Sequence, residues 1–202
     1  MISIRPLLAA AILAVSCNIA TDEDPGYGYR LSFRPESCEQ LTVSEYRQCL
    51  LVELDGAALP EHSAGIEDQI RRYYTLFLRR NEGGGNVITV DYRMEKCLDI
   101  RITSPVTLFG ETPGSDISGH FTFLSSEDWT DFIITDDDRL IGTIPTGMTI
   151  REYLSKSPLV FPKALLSVDS TPDGAPSETT LSITVTLEDR VLSAEVPFTF
   201  ER

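Results

Sequence analysis

The stretch TTLSITVTL at Thr179–Leu187 and its continuation VLSAEVPFTF at Val191–Phe200 decide the fold class of this 202-residue chain. In the first stretch, threonine and serine alternate with aliphatic residues at positions 181, 183, 185 and 187. A period of two is typical of a strand that buries one face, and the charged turn at 188–190 returns the chain. Successive strands joined by short turns favour an antiparallel sandwich, because parallel strands need helices between them.

Shorter segments upstream repeat the strand pattern. Cys97–Thr103 alternates polar residues with leucine and isoleucine, and the apolar run Leu159–Val168 precedes the C-terminal hairpin. Thr149 is suited to cap a short helix over 150–155. We therefore expect a mainly β fold, an antiparallel sandwich with a few short peripheral helices, built as one domain over residues 27–202. Further strands are predicted at Tyr27–Phe33, which Pro35 ends, and at His120–Leu124, Asp131–Thr135 and Arg139–Ile144.

The stretch 42–54 fits a helix and a strand about equally well. Thr42 and Glu45 have the spacing of a helix capping box, and apolar residues follow at helical intervals. We predict a helix over 42–54, although the run Leu50–Leu54 could equally be a strand.

The stretch 66–79 is ambiguous in the same way. We predict a short helix at Ile66–Arg71 that runs into a strand at Arg72–Arg79. The glycine-rich turn 81–86 follows, and the β-forming run Val87–Tyr92 comes directly after it. Two such runs around a turn rich in glycine predict a β-hairpin.

The N-terminus decides where the chain is sent. The apolar run Leu7–Val15 has about half of the roughly 20 residues that a membrane-spanning helix needs, so residues 1–16 are predicted to be a signal peptide. The pattern Leu13–Cys17 resembles a bacterial lipobox, in which the cysteine is acylated with chains such as palmitate and becomes the mature N-terminus. We predict lipidation of Cys17. An ordinary secretory cleavage site is the alternative, because its small-residue pattern is also present.

Residues 17–26 are predicted to form a flexible acidic tether, because the run Asp22–Asp24 and the proline and glycine after it offer nothing apolar to bury. The formal net charge of the chain is −14 at pH 7. Such a surface repels phosphate backbones, so no nucleic-acid partner is expected. The sequence has no second long apolar run, and membrane contact is expected only through the lipid on Cys17.

Three cysteines remain in the body of the chain: Cys38, Cys49 and Cys97. An exported compartment permits a disulfide, but an odd number leaves at least one free thiol. A bridge between Cys38 and Cys49 would close a short loop, which a helix over 42–49 would hold apart. Three buried free thiols are the alternative.

The lipobox-like start, the strand Cys97–Thr103, the loop Gly110–Gly119 that leads into His120–Phe123, and the final hairpin together resemble Bacteroidetes lipoproteins of unknown function. Many of those proteins are immunoglobulin-like sandwiches, so the resemblance implies that fold. It also implies a lipid anchor at the outer membrane or cell surface, with a periplasm-facing anchor as the alternative. It implies no activity.

Two short patterns follow from the same resemblance. The acidic residues behind Cys17 are similar to the surface-export signal of these lipoproteins, although in that signal the acids lie closer to the cysteine. The triplet Asp169–Thr171 resembles their O-glycosylation acceptor, which would make Ser170 the modified residue.

Few residues of the types used in catalysis are present. The only histidines are His62 and His120, too few for a zinc site of histidines unless cysteine or carboxylate completes it. The loop Ser115–His120 combines serine, aspartate and histidine, but productive triads are usually assembled from distant segments. We expect a plain polar loop there, and we predict no catalytic residue and no cofactor.

Asp169, Thr171 and Asp173 match the first half of a calcium loop. The twelfth position is Thr180 where a bidentate glutamate is expected, so an ordinary surface loop is the default and these three residues remain calcium candidates. The run Asp136–Asp138 is interpreted as a solvated turn rather than a cation site.

Aromatic pairs offer another kind of site. Trp129 with Phe132, or Tyr27 with Tyr29, has the spacing of an aromatic platform for a sugar. Singly spaced aromatic residues on alternating strands more often fill a core, so we expect these residues in the core.

These observations lead to a non-catalytic, lipid-anchored protein of the cell envelope that binds a glycan or an envelope protein through its loops. A structural subunit of a surface assembly, such as a minor fimbrial component, is the alternative. A small hydrolase that uses His120 ranks third.

Overall fold

A computed structural model describes residues 29–77, 86–126 and 128–200. Over these ranges the chain is mainly β, and the predicted signal peptide, Cys17 and acidic tether lie outside them. The strands are β1 (Tyr29–Glu36), β2 (Gln40–Tyr46), β3 (Cys49–Asp55), β4 (Asn86–Arg93), β5 (Cys97–Thr103), β6 (Phe121–Leu124), β7 (Phe132–Ile134), β8 (Leu140–Thr143), β9 (Lys163–Val168), β10 (Glu178–Leu187) and β11 (Val191–Thr199). The helices are α1 (Ala64–Phe77) and α2 (Ile150–Leu154), with a 3-10 turn at Ser118–His120.

Two antiparallel sheets contribute to the larger core. One has the strand order β2-β3-β9-β6 and the other has the order β11-β10-β5. Their apolar residues meet in a single buried cluster. The expected mainly β fold with antiparallel sheets is therefore confirmed. Members of the cluster from the first sheet include Val52, Leu54, Phe123 and Leu166, and members from the second include Ile100, Ile183, Val185 and Phe198.

Strand β10 is the middle strand of its sheet, as its sequence pattern favours. Its residues at 181, 183 and 185 are completely buried, and the residues between them are exposed or half-buried. Ile183 lies opposite Ala194 of β11 and Ile102 of β5. Full burial of a leucine, isoleucine or valine side chain contributes roughly 1.5–3 kcal/mol, so this strand is a major source of the stability of the sheet.

The predicted helix over 42–54 is wrong, because these residues belong to a hairpin of β2 and β3. Tyr46 pairs with Cys49, which leaves Arg47 and Gln48 as a two-residue turn. Both turn residues have positive φ, 50° and 64°, as a type I′ hairpin turn requires. The strand is favoured over the helix because leucine and valine at alternate positions of β3 all reach the core.

The predicted strand at 72–79 is wrong over the residues that are described, because α1 continues unbroken to Phe77. Ile66, Ile70 and Tyr74 recur at four-residue intervals and are buried, and this packing outweighs the strand propensity of the tyrosines. The predicted hairpin with 87–92 is also wrong. Strand β4 pairs in parallel with β1 instead.

Strand β1 also runs further than expected, because it continues through Pro35 to Glu36. The carbonyl of Pro35 accepts a hydrogen bond from the backbone N–H of Leu59 at 2.9 Å, on the side of β1 away from β4. A proline is tolerated in an edge strand when its missing N–H faces away from the partner strand.

The other predicted strands and the helix at 150–155 are confirmed within one or two residues at each end, but the apolar run Leu159–Val168 forms a strand only from Lys163 onward. Thr149 caps α2: its hydroxyl accepts from the backbone N–H of Glu152 at 3.1 Å, and the Glu152 carboxylate accepts from the Thr149 N–H at 2.8 Å. The predicted acidic turn at 136–138 connects β7 to β8. All three cysteines of the body are buried and free, so the bridge between Cys38 and Cys49 does not form.

A second, smaller core lies between α1, the β1–β4 pair and the β7–β8 hairpin. It consists of buried apolar residues from all three elements, with Leu159 from the segment before β9. The buried residues are Ile66, Ile70, Tyr74, Val90, Tyr92, Phe132, Ile134 and Leu159.

Arg93, the last residue of β4, connects this smaller unit to the large sheet. Its side chain is only 3% exposed. The Nε atom donates to the carbonyl of Leu54 in β3 at 3.0 Å, and an Nη atom donates to the same carbonyl. The guanidinium also forms an ion pair with Glu36 of β1 at 2.9 Å. One buried cation therefore holds β1, β3 and β4 together.

Replacement of Arg93 by methionine should lower the free energy of unfolding by about 3 kcal/mol, because the loss of one partner leaves the buried polar groups uncompensated. Urea unfolding at neutral pH measures this change. Arg101→Met, on the exposed face of β5, is the matched control and should stay within about 0.5 kcal/mol of the parent. Equal losses in the two variants would contradict the role of Arg93.

Candidate ligand-binding cleft

A cleft of about 370 Å³ opens between β4 and the segment that leads into β7. Strand β4 forms one wall, and residues 128–131 form the opposite wall. Helix α1 contributes Tyr74, and the start of β9 contributes Lys163. The complete lining is Tyr74, Ile88, Thr89, Val90, Asp91, Asp128, Trp129, Thr130, Asp131, Pro162 and Lys163.

Trp129 lies half-buried in the wall of the cleft. The Lys163 ammonium lies over its ring, 4.6 Å from the centroid, and the same ammonium forms an ion pair with Glu53 at 2.7 Å. The indole Nε1 is buried and has no hydrogen-bond partner among the described residues. A buried N–H without a partner is rare in folded proteins and marks this position as unusual.

Asp131 lines the same cleft and is only 8% exposed. Its backbone carbonyl accepts from Ile144 N–H at 2.8 Å, and its carboxyl group lies near the indole N–H of Trp129 and the ammonium of Lys163. Burial raises the pKa of this carboxyl to about 7, and the indole N–H of Trp129 and the Lys163 ammonium offset the rise only in part. A buried acid with little compensation is typical of functional sites.

Two further carboxylates face the cleft. Asp91 is held by Arg34 of β1, which donates to its two oxygens at 2.9 and 2.7 Å. Asp128 is exposed. Lys163 is paired with Glu53, and Arg34 is paired with Asp91. Asp128 and the ionised fraction of Asp131 therefore give the cleft an acidic character.

The cleft follows the edge of β4. Among the described residues, β4 pairs only with β1. Four consecutive residues of β4, at positions 88–91, line the cleft. Side chains alternate between the two faces of a strand, so four consecutive lining residues place the backbone edge of β4 against the cleft. A neighbouring cavity of only about 10 Å³ lies between β4 and β7 and shares Asp91, Thr130 and Pro162 with the cleft.

The first pair of aromatic candidates, Trp129 and Phe132, does not form a common surface. Phe132 is 7% exposed and belongs to the smaller core, whereas Trp129 lines the cleft. The expectation of core residues is therefore confirmed for Phe132 only. Tyr27 and the side chain of Tyr29 lie outside the described residues.

The loop Ser115–His120 does not bring its polar side chains together as a triad. The Ser115 hydroxyl contacts Thr112 at 2.9 Å, and the Asp116 carboxylate accepts from the backbone N–H of Ser118 at 3.0 Å. The His120 ring stacks on Phe109 with a centroid distance of 4.1 Å. The other histidine, His62, lies beside α1, where its Nδ1 atom is 2.6 Å from a carboxylate oxygen of Glu67.

The calcium candidates lie in the surface loop between β9 and β10. The carboxylate of Asp169 accepts from the Thr122 hydroxyl at 3.0 Å, and Asp173 is exposed. Over the ranges that the structure describes, no group of three or more histidine, cysteine, aspartate or glutamate side chains is placed to hold a metal ion. Ser170, the glycosylation candidate, is exposed beside a cavity of about 220 Å³ that Thr171 also lines.

The sequence pattern did not single out Asp131 or Lys163 as site residues. Asp131 begins a short apolar strand, and Lys163 begins another far along the chain. An acid that directly precedes an apolar strand is the only local signal for Asp131. Their contact with Trp129 depends on how β4, β7 and β9 are placed in three dimensions.

Asp131→Asn should stabilise the protein at pH 8 by an amount on the order of 3 kcal/mol and have little effect at pH 4. An acid whose folded pKa lies above its unfolded value loses stability as pH rises from about 4 to 7. Asparagine removes that loss. Urea unfolding at both pH values measures it, with the exposed Asp173→Asn as the control. A variant that gains nothing at pH 8 would contradict the burial of an uncompensated charge.

The search for similar proteins gives no further information on this cleft. No protein-family model, no curated protein and no solved structure matches the chain. Within the described ranges, neither helix has the length and apolar character that crossing a membrane would require.

Proposed function

We propose that this protein is a non-catalytic, lipid-anchored protein of the cell envelope that binds an envelope component in the cleft of Trp129 and Asp131. The anchor is the acylated Cys17, at the outer membrane or cell surface, and the acidic tether 17–26 separates it from the domain. The two antiparallel sheets with a shared core are compatible with an immunoglobulin-like sandwich of the kind found in Bacteroidetes lipoproteins.

The observation that carries the binding function is the state of Asp131. A carboxyl group that is 8% exposed, lines a cleft and has its pKa raised by burial to about 7 lowers the stability of the free protein at neutral pH. Such a cost is common where a ligand supplies a further partner. The ring of Trp129, which lines the same cleft, supports the same location.

Binding is tested with the purified protein, because Trp129 is the single tryptophan of the chain and its emission reports on the cleft. Polysaccharide and polypeptide fractions of a bacterial envelope extract are titrated separately. We expect one fraction to change the emission in a saturable way. The change should weaken at least fivefold in Asp131→Asn and persist in Asp173→Asn, since only Asp131 lines the cleft.

The same experiment separates the proposal from its rivals. An unchanged emission with both fractions, or equal binding by the two variants, would remove the cleft as the binding site. Chemical turnover of any envelope polymer would contradict a non-catalytic role. Labelling with an alkyne analogue of palmitate in a bacterial host should be lost in Cys17→Ser and retained in Cys49→Ala, because Cys49 is buried.

A further inference from the structure

We propose that the occupant of the cleft is an extended polypeptide segment that adds as a strand to the free edge of β4 and places a basic side chain against Asp131. This inference rests on the proposed binding function and identifies its partner as another protein of the envelope. It is carried by three features of the cleft: an unpaired strand edge, a buried carboxyl group, and a surplus of acidic over basic side chains.

The first feature is the edge of β4. Its pairing with β1 uses the backbone groups of alternate residues, and the intervening groups face the other way. At positions 88–91 these intervening backbone groups face the cleft. These backbone N–H and C=O groups are a template for one more strand, which is how many domains capture extended peptides.

The shape of the cleft also suits an extended chain. Its second wall is residues 128–131, which run opposite β4 without a strand pairing of their own. The adjoining cavity beside Arg93 has a volume of only about 10 Å³, too small for a side chain, so the segment would lie against residues 88–91.

The charged residues around the cleft favour a basic side chain in the bound segment. Within the described part of the chain, the acidic and basic side chains that line the cleft are Asp91, Asp128, Asp131 and Lys163. Arg34 neutralises Asp91, and Glu53 neutralises Lys163. The remaining carboxylates attract a lysine or arginine, and arginine in particular can donate two hydrogen bonds to one carboxylate.

A glycan fits the same cleft less well. Sugars bind tryptophan through an open ring face, but the ammonium of Lys163 covers one face of the Trp129 ring. The indole N–H, which would otherwise bind a hydroxyl, is buried and is not accessible from the cleft. The geometry therefore favours a polypeptide that uses the strand edge over a sugar that uses the ring.

The test uses capped nine-residue peptides of alternating valine and serine with arginine, glutamine or glutamate at the centre. Binding to the purified full-length protein is followed by the emission of Trp129. The arginine peptide should bind at least tenfold more tightly than the glutamine peptide, and the glutamate peptide should not bind. In Asp131→Asn the arginine peptide should fall to the affinity of the glutamine peptide, while Asp173→Asn should keep the difference.

Backbone pairing between the peptide and β4 can be tested separately from the charge preference. N-methylation of alternate peptide nitrogens should abolish binding for one set of positions and leave it within about twofold for the other set, because only one set of N–H groups faces β4. Equal effects of the two sets would overturn strand addition. The stability of Asp131→Asn at pH 8 shows independently that this variant is folded.

The remaining outcomes distinguish this inference from the proposed function. If the polysaccharide fraction changes the emission and the peptides do not, the polypeptide inference fails and the binding function stands. If neither binds, both fail. Concentration-dependent self-association that the arginine peptide reverses would identify a second copy of this chain as the occupant and overturn a foreign partner.

Discussion

The contacts of the buried Arg93 guanidinium determine how the two halves of this protein fit together. Burial of a cation to 3% exposure lowers the stability of the fold unless its N–H groups form hydrogen bonds or ion pairs. Here they bind the Leu54 carbonyl of β3 and the Glu36 carboxylate of β1. The parallel pair β1–β4 and its covering helix are thereby fixed beside the large antiparallel sheet. Because Arg93 is the last residue of β4, it fixes one end of the strand and leaves the other end free to form a wall of the cleft.

The cleft combines features that a protein selected for stability alone would not retain. The edge of β4 is open over residues 88–91, and burial raises the pKa of the Asp131 carboxyl to about 7. An extended, basic ligand would supply partners both for the strand edge and for the Asp131 carboxylate. The acidic net charge of the chain, −14, would also accelerate the approach of such a partner.

Local patterns in the sequence predict many of the strands of the antiparallel sheets, but they do not predict the cleft. The alternation at 179–187 predicts β10 because strand period and burial coincide there, and Thr149 predicts α2 because a cap is a contact within four residues. The pattern at 42–54 predicts a helix where the structure has a hairpin, because several of its apolar residues also lie at helical spacing. Parallel pairing of β1 with β4 is a long-range contact that no local pattern encodes, and the same is true of the contact between Trp129 and Lys163.

Amide hydrogen exchange along β4 in the ligand-free protein tests the central claim most directly, because the claim is that one edge of this strand is unpaired. Of the four amides at 88–91, the two that face β1 should be protected and the two that face the cleft should exchange quickly, in strict alternation. Uniform protection of all four amides would mean that the edge is already paired or covered, and it would contradict the account.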